Sequence, residues 1–502
     1  MTKVASTTQK KPARFLIVGL GPHAKRTYAK HLLSLKTDCS AELVCAVDVE
    51  SKRGELTAYC DAHLPGVELA FVPTFTTEMP HNVTRKLNTI LSVHGVDCVI
   101  ISTEPQAHKV YGLWALDRGL HVIMDKPVTT RKGAATDMTQ ALGIAQDYQD
   151  LMEAYSRLQR HRQTIFLIAS HRRYHPAYTS TSRMLRDIAR KTGSPVTNIV
   201  STHCDGQWRL PHELVDEAYH GFNAGHGKVS HSGYHFLDTA YQFVKAGWSE
   251  LKRPDKVQVV SSFISPSGVL KTLTHGDYVA LFGDEYVRSC KYTPQQVESL
   301  VADFGEYDAN IQMTFLQDDE PVTLVQLNLL HNGFSRRSWV TMGNSADWYK
   351  GSGRVKHEAH EIRSGPFQTI VLESRQANDK HDRSKPSTAE IGTDNHFQVY
   401  VFRNCRVLGE SQPLKSYSME ELDRRGTAKL PGVYTENVKK GIIQEAIDYL
   451  QGEKKLEQLV SNLEDHSVPT HLMSAAYASH ILRTRGDNPI VTVGLSNELN
   501  GT

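Results

Sequence analysis

Short apolar runs alternate with helix-compatible stretches in the first third of the chain. The runs cover residues 15–18, 43–49, 96–101, 120–124 and 164–170, and each has the length of a strand. Continuous apolar strands separated by helices are typical of a parallel sheet with both faces covered. The pattern therefore predicts an N-terminal α/β domain at residues 14–171, after a polar tail at residues 1–13 that we expect to be disordered.

Residues 172–502 have a different pattern. Strand candidates cover residues 198–204, 256–265, 308–316, 322–330, 338–343 and 396–402, and few helices separate the later ones. This arrangement predicts a C-terminal α+β domain with an open, mainly antiparallel sheet. Helices are expected at residues 132–163, 435–450 and 469–482. Residues 372–396 are polar and lack apolar periodicity, so we expect a surface insertion there.

The first apolar run ends in a glycine turn with the sequence GLGPHA. Gly19 permits a tight turn, Gly21 lets the backbone approach a pyrophosphate, and the small Ala24 lets the next helix pack close to the strand. The start of that helix offers free N–H groups to phosphates. Asp48 ends the second run, where a carboxylate binds the adenine ribose and favours NAD over NADP. The alternative for Asp48 is a capping role in a turn.

Two more strand ends carry polar residues at the same edge of the predicted sheet. Ligands of parallel sheets bind beyond the carboxyl ends of the strands. We therefore expect a dinucleotide there, with NAD as the first choice and NADP as the alternative. The expected cofactor contacts are Gly19, Gly21, His23, Ala24, Asp48, Ser102, Thr103, Pro105, His108, Asp125 and Lys126.

Three segments, GLGPHA, STEPQAH and GLHVIMDKP, resemble in order and spacing the Gfo/Idh/MocA oxidoreductases, which include glucose-fructose oxidoreductase and inositol dehydrogenase. That family has Glu-Lys-Pro where residues 125–127 read Asp-Lys-Pro. Its second signature, Asp-x-Gly-x-His-x-x-Asp, is matched at Gly233, His235 and Asp238, whereas His231 replaces the first aspartate. The resemblance is specific in the first half of the chain and loose in the remainder.

The resemblance implies hydride transfer between a nicotinamide dinucleotide and a secondary alcohol or ketone. By matching positions, Lys126 would lie beside the nicotinamide and the substrate carbinol, and His235 would be the general acid/base. Oxidation of a hydroxyl independently needs a base for its proton and a cation for the developing alkoxide. His231 is a further catalytic candidate. Its imidazole can donate as well as accept hydrogen bonds, unlike the aspartate of the family, so it would rearrange the acid/base pair that it forms with His235.

His231 and His235 also have the spacing of two metal ligands on one helix face. His220 and His226 are nearby, but no third ligand is evident by spacing, so we expect no metal. The remaining alternative is that both are ordinary helix residues with backbone or solvent partners.

The candidates for substrate binding combine hydrogen-bond donors with flat aromatic surfaces, which suit a polyhydroxylated ring or an anionic sugar. The resemblance implies a sugar, an amino sugar, a nucleotide sugar or a cyclitol. Each candidate has an alternative role in packing or at the surface. They are Arg172, Arg173, Trp208, Arg209 and Tyr234.

Length, charge and cysteine usage fit this interpretation. A chain of 502 residues exceeds one ordinary domain, and a net charge of +2 gives no argument for nucleic acid or a membrane surface. Seven scattered cysteines are typical of reduced thiols, and no run reaches transmembrane length. We expect a cytoplasmic homo-oligomer that associates through the C-terminal sheet.

Three functions remain open at this point. The first is an NAD(P)-dependent dehydrogenase or ketoreductase. The second is an NAD-dependent glycoside hydrolase that uses transient oxidation and elimination. The third is a catalytically silent sensor of NAD or sugar, against which the retention of both Lys126 and His235 argues.

Overall fold

The computed structural model describes residues 11–36, 40–216, 219–340, 353–377, 388–423 and 434–495. The chain forms two compact units whose segments interleave along the sequence. The first unit contains Met1–Thr129, Asp147–Tyr174 and Val438–His466, and the second contains Thr130–Gln146, His175–Asn437 and Ser467–Thr502.

The strands of the first unit are β1 Ala13–Val18, β2 Ala41–Val49, β3 Glu68–Val72, β4 Cys98–Ile101, β5 His121–Met124 and β6 Phe166–Ile168. Those of the second unit are β7 Asn198–Gln207, β8 Lys256–Ile264, β9 Asp308–Gln317, β10 Glu320–Asn332, β11 Val355–Ser364, β12 Gln368–Ala377, β13 Gln398–Arg403, β14 Leu414–Ser418 and β15 Val491–Gly494.

The α-helices in chain order are α1 Pro22–Ala24, α2 Lys30–Lys36, α3 Arg53–His63, α4 His81–His94, α5 His108–Asp117, α6 Met138–Gln159, α7 Pro176–Thr192, α8 Pro211–Asp216, α9 Tyr234–Ala246, α10 Pro266–Thr272, α11 His275–Ser289, α12 Pro294–Leu300, α13 Cys405–Leu408, α14 Met419–Leu422, α15 Tyr434–Val438, α16 Gly441–Leu450 and α17 Ser467–Arg485. π-Helical turns cover Lys25–Ala29 and Val229–Gly233. Short 3₁₀ turns cover Glu50–Lys52, Pro105–Ala107, His171–Tyr174, Tyr219–Ala224, Leu456–Gln458 and Leu463–His466.

The first unit is built on a six-stranded parallel sheet with the order β3-β2-β1-β4-β5-β6. Its strands are apolar and buried because a parallel sheet is covered on both faces, and Phe15, Leu16 and Ile17 of β1 are fully buried. β1 lies between β2 and β4, so the winding of the sheet reverses beside it. This reversal is where doubly wound sheets bind ligands, and the prediction of an N-terminal α/β domain with a parallel sheet is confirmed.

The second unit is built on a nine-stranded sheet with the order β14-β13-β12-β11-β7-β10-β9-β8-β15. Only the pair β7 and β10 is parallel among its described strands. Along β10, Val325, Leu327 and Leu329 are buried, while the alternate positions are exposed or half-buried. The sheet therefore has one covered face and one open face, and the prediction of a mainly antiparallel C-terminal sheet is confirmed.

The structure differs from the apolar pattern at β11 and β12. β12 runs to Ala377, so residues 372–377 are strand rather than part of a surface insertion; residues 378–387 lie outside the described residues. No strand was expected at β11, because its buried side chains include Glu358 and His360. Partners within the fold make this polar face stable: the Tyr178 hydroxyl donates to Glu358, and Ser201 Oγ lies 2.8 Å from His360 Nδ1.

Three helices also differ in their bounds. The expected helix at residues 132–163 is shorter, Met138–Gln159, whereas that at 469–482 is longer, Ser467–Arg485. The expected helix at 435–450 is two helices, α15 and α16. Of the strand candidate at 338–343, the described residues 338–340 are not strand, and the others lie outside the described residues.

The turn after β1 depends on the absence of a side chain at Gly19. Its φ is +89°, and an added Cβ would lie 2.4 Å from the carbonyl oxygen of Ser102, which follows β4. We expect Gly19→Ala to lower the free energy of unfolding by at least about 1 kcal/mol, because strain and collision add. Gly54→Ala, in α3, is the control, since an added Cβ there meets no atom within 4 Å. Denaturant titration measures both, and equal stability of the two variants would contradict the explanation.

Candidate active site

Gly21 immediately precedes the helical stretch of residues 22–36 and leaves open space in front of it. An added Cβ at Gly21 would meet no atom within 4 Å, and the Gly21 carbonyl accepts the first helical hydrogen bond, from Lys25 N–H at 2.9 Å. The N–H groups of the first turn have no partner within a helix, so they can bind a phosphate. The open space and the donors fit the pyrophosphate of a dinucleotide.

Asp48 has two roles at the end of β2. Its Oδ2 accepts a hydrogen bond from Leu20 N–H at 2.8 Å, and its Oδ1 accepts one from Val49 N–H at 2.7 Å. The carboxylate therefore ties the glycine turn to β2, as the capping alternative expected. Each oxygen has a second lone pair that remains suitable for a ribose hydroxyl.

Asp125 is the centre of a hydrogen-bond cluster at the carboxyl ends of β4 and β5. The hydroxyls of Tyr28 and Ser102 both donate to its carboxylate, and His23 Nε2 lies 3.6 Å from Oδ1. Burial and the Asp125 carboxylate raise the pKa of Tyr28 well above its ordinary value, so Tyr28 remains a donor. The sequence did not point to Tyr28, because only the fold brings it near residue 125.

His108 links two strand ends of this edge. It is fully buried, with Nδ1 2.9 Å from the Pro127 carbonyl and Nε2 3.1 Å from the Thr103 carbonyl. Burial lowers its pKa, whereas the two carbonyls and the Asp125 carboxylate act in the opposite direction. Its contacts are those of a positioning residue for Lys126, which is half-buried and precedes Pro127. Pro105 begins the 3₁₀ turn before α5, and Ala24 is fully buried in the glycine-turn helix.

In the second unit, the motif at residues 227–238 forms a π-helical turn that continues into α9. Gly233 N–H donates to Lys228 carbonyl at 2.8 Å, which is the wide hydrogen bond of this turn. An added Cβ at Gly233 would lie 2.8 Å from both that carbonyl and Leu329. His231 is half-buried within the turn, and His235 is 5% exposed in the first turn of α9. π-Helical turns are frequent at functional sites.

Glu306 holds the start of this π-helical turn. Its Oε1 accepts hydrogen bonds from Val229 N–H at 2.7 Å and from the Tyr477 hydroxyl at 2.8 Å, and its carbonyl accepts one from Lys228 N–H at 3.0 Å. Among the described residues, no donor reaches Oε2, which is buried. Burial raises the pKa of Glu306 to about 7. The segments approach closely because Gly227 has no side chain: an added Cβ there would lie 2.2 Å from the Glu306 carbonyl.

A buried charge cluster lies next to the motif and was not predicted. Lys228 is fully buried and its Nζ donates to Asp205 Oδ2. Asp205 Oδ1 lies 3.2 Å from Arg354 Nη2, and Oδ2 lies 3.4 Å from His331 Nδ1. Burial disfavours the ionised carboxyl, but Lys228, the two histidines His203 and His331, and Arg354 together hold the pKa of Asp205 well below its usual range.

The two histidines of this cluster are neutral near pH 7. Burial lowers the pKa of His331 to about 4, and burial with the Lys228 charge lowers the pKa of His203 well below its usual value. The cluster therefore offers cationic donors from Lys228 and Arg354 around one carboxylate.

The substrate candidates have unlike surroundings. In the first unit, Arg173 donates to the carbonyls of Val460 and Asp465, at 3.1 and 3.0 Å. Arg172, beside it, is buried. In the second unit, Trp208 Nε1 donates to the Tyr278 hydroxyl at 3.2 Å, and buried Arg209 donates to Gln207 at 3.0 Å. Fully buried Tyr234 has its hydroxyl 3.3 Å from Thr470 Oγ1, which is a core contact.

Two features of the described residues bear on a metal site and on a membrane-spanning segment. Within the described ranges, no group of three or more His, Cys, Asp or Glu side chains is arranged to hold a metal ion; the side chain of His220 lies outside the described residues. No helix in the same ranges has the length and apolar character needed to cross a lipid bilayer.

Residues 13–155 match the model of an oxidoreductase family with an NAD-binding Rossmann fold, Gfo/Idh/MocA. The likeness to the Gfo/Idh/MocA oxidoreductases is shown for this segment. The match contains the glycine turn, Asp48, Asp125 and Lys126, so the suspected resemblance and the prediction of an NAD-binding oxidoreductase domain are confirmed. No curated protein matches the chain in sequence.

Solved structures extend the likeness in fold beyond the Gfo/Idh/MocA segment. An oxidoreductase from Agrobacterium radiobacter in complex with NAD+, L-tartaric acid and magnesium has a TM-score of 0.56 at 13% identity, over 97% of this chain and 99% of that chain. An aldose-aldose oxidoreductase from Caulobacter crescentus complexed with glycerol has a TM-score of 0.55 at 13% identity, over 96% of this chain and 100% of that chain. A levoglucosan dehydrogenase in complex with NADH and L-sorbose has a TM-score of 0.57 at 11% identity, over 97% of this chain and 99% of that chain. At these identities the likeness shows the fold.

Glu306 makes the motif of the second unit sensitive to pH. Its pKa is about 7 in the folded chain against an ordinary value of 4.5, so the native state keeps the proton that the unfolded chain releases in this window. The free energy of unfolding attributable to Glu306 therefore falls as the pH rises from 4.5 to about 7. In Glu306→Gln this loss disappears, and the difference from wild type changes by up to about 1.4 kcal/mol per pH unit.

Urea titrations at several pH values measure this difference. Glu298→Gln, at an exposed position of α12, is the control and should run parallel to the wild type. Parallel behaviour of Glu306→Gln across the same window would show that Glu306 does not titrate there.

Proposed function

We propose that this chain is an NAD(P)-dependent dehydrogenase or ketoreductase that transfers a hydride to or from a secondary alcohol or ketone of a sugar, an amino or nucleotide sugar, or a cyclitol. The observation that carries the proposal is the position of Lys126. It follows β5 at the same carboxyl edge as the Gly19 turn, inside the segment matched to the NAD-binding family. That is where a doubly wound sheet presents its ligand.

The first unit supplies the cofactor contacts in this proposal. Gly19 and Gly21 give the pyrophosphate access to the helix start, and Asp48 binds the ribose and favours NAD by repelling a 2′-phosphate. His23, Ser102, Thr103, Pro105, His108 and Asp125 shape the rest of this edge. A bound nicotinamide dinucleotide supplies or accepts a hydride.

The proton chemistry belongs to Lys126 and His235. In the oxidative direction, the imidazole of His235 accepts the proton of the substrate hydroxyl, and the ammonium of Lys126 stabilises the developing alkoxide. In the reductive direction, His235 returns the proton to the carbonyl oxygen. His231 replaces an acceptor-only carboxylate, so it is proposed to orient the substrate or His235 by donating or accepting a hydrogen bond.

The proposed substrate class is supported by two kinds of observation. Lys228 and Arg354, which are paired with Asp205, and buried Arg209 give the second unit cationic donors near the motif, which suit hydroxyl or acidic groups. The neighbours in fold include an aldose-aldose oxidoreductase and structures with L-tartaric acid or L-sorbose. Nothing favours the glycoside hydrolase or the silent sensor.

A direct screen tests the proposed function. The purified protein is incubated with neutral sugars, sugar acids and cyclitols in the presence of NAD or NADP, and reduced cofactor is followed by its absorbance. Mass analysis of copurified cofactor distinguishes exchange from permanent retention. Hydrolysis of a glycoside without net reduced cofactor would support the hydrolase, and cofactor binding without any turnover would support the sensor.

Lys126 is expected to act in turnover rather than in cofactor binding. Lys126→Ala should lower kcat by at least about 100-fold, the scale for loss of a positioned charge or proton-transfer group, with NAD affinity changed little. His235→Asn should cause a similar loss for the same reason. Stopped-flow kinetics and calorimetry with NAD measure the two effects.

Lys132→Ala is the matched control, because Lys132 is exposed and lies six positions further along the chain. His231→Asp, which restores the family residue, should remain active with a shifted pH profile. Near-normal kcat in Lys126→Ala or in His235→Asn would refute the assigned role.

We further propose that the open face of the second sheet is the contact between copies of the chain. Alternate side chains on this face include apolar residues that are half-buried or exposed, among them Val200 on β7, Val260 on β8, and Leu324 and Leu330 on β10. Leu324 is 53% exposed. These apolar side chains alternate with polar ones such as Gln312, Gln326 and Asn328, and a mixed surface of this kind can form a protein interface.

Val200→Glu with Leu330→Glu should therefore convert the oligomer to a monomer, because two carboxylates would lose their hydration in the interface. Size-exclusion chromatography with light scattering measures the mass. The control is Phe334→Glu, since Phe334 is 76% exposed and lies after the end of β10. An unchanged mass for the double variant would place the contact elsewhere.

A further inference from the structure

The second unit has a basic groove between the C-terminal halves of α7 and α9. Its volume is about 380 Å³, which is within the usual range for small-molecule sites. Three of the lining residues are cationic, three are neutral and polar, the others are apolar, and none of these described residues is acidic. They are Ser182, Arg186, Ala189, Arg190, Gln242, Lys245, Ala246, Trp248 and Ser249.

Arg186 and Arg190 stand one turn apart on α7, and the described residues provide neither with a carboxylate partner. Like charges at this spacing repel, and Lys245 of α9 adds a third cation to the same groove. Cations near helix C-termini are common, but the end of α7 already has one, because Lys252 Nζ donates to the Gly193 carbonyl at 2.6 Å. Arg190 and Lys245 lie in the last turns of their helices, where a cation is favoured, whereas Arg186 lies a turn earlier and has no such explanation.

Trp248 adds a second, independent feature. Its indole Nε1 is buried, and within the described ranges no acceptor reaches it. Arg253 lies over the ring, with its guanidinium carbon 5.2 Å from the ring centre. A buried N–H without an acceptor is costly, and the side chain that carries it lines the groove.

We propose that this groove binds a small phosphate-bearing metabolite. Guanidinium forks and an ammonium group match phosphate oxygens, and Ser182, Ser249 and Gln242 supply neutral donors. The groove is separate from the proposed catalytic residues of this unit. His235 is in the first turn of α9 and Lys245 in its last, which at 1.5 Å per residue places their backbones about 15 Å apart.

Calorimetry of the full chain with inorganic pyrophosphate tests the site. We expect a component of binding that persists when the glycine turn is blocked and that weakens at least about tenfold in the double variant Arg186→Gln and Arg190→Gln, because two charge-assisted contacts are lost. Arg183→Gln is the matched control, since Arg183 is exposed on the same helix but does not line the groove. Gly21→Val blocks the glycine turn and should leave this binding unchanged.

Several outcomes would overturn the proposal. They are the absence of binding at millimolar pyrophosphate, an equal loss in Arg183→Gln, and binding that survives in the double variant but disappears in Gly21→Val. Equal affinity for citrate would refute the phosphate class. As a further measurement, pyrophosphate should change the tryptophan emission of the wild type and not that of Trp248→Phe, and an identical change in both would also count against the site.

Discussion

Close backbone approach at glycines is the constraint on which the candidate residues of each unit depend. In the first unit, the Gly19 turn touches the carbonyl of Ser102, so the ends of β1 and β4 come together. In the second unit, Gly227 lies against the carbonyl of Glu306, so the π-helical turn with His231 is held to the strand region before β9. A Cβ at either position would separate the two segments that meet there within that unit.

The parts of the fold that the sequence predicts are those where local pattern and burial agree. β1 is apolar and buried from Phe15 to Val18, so its run and its glycine turn are both visible in the sequence. β11 is the opposite case, since buried Glu358 and His360 give it a polar inward face that no hydropathy pattern recognises. Its stability comes from partners on other elements, which only the folded chain provides.

The same reasoning separates the candidate site into predictable and unpredictable parts. Gly19, Asp48 and Lys126 are adjacent to strand ends, so sequence position alone places them at one edge of the sheet. Lys228 and Asp205 are 23 positions apart, and no spacing rule connects them. Tyr28 is likewise 97 positions from Asp125. Contacts of this kind arise from tertiary packing, and a single sequence carries no signal for them.

The Asp205 cluster also limits what the second unit can be. Burying a lysine, an arginine and a carboxylate is seldom more stable than an apolar core, so such a cluster has to be explained by what it specifies. Asp205 lies on β7, His331 on β10 and Lys228 at the start of the π-helical turn, so one carboxylate joins three segments. A wrong register of any segment would leave a buried charge unpaired. The cluster thus links the position of the motif to the register of the central strands. The positions of His231 and His235 therefore depend on that register.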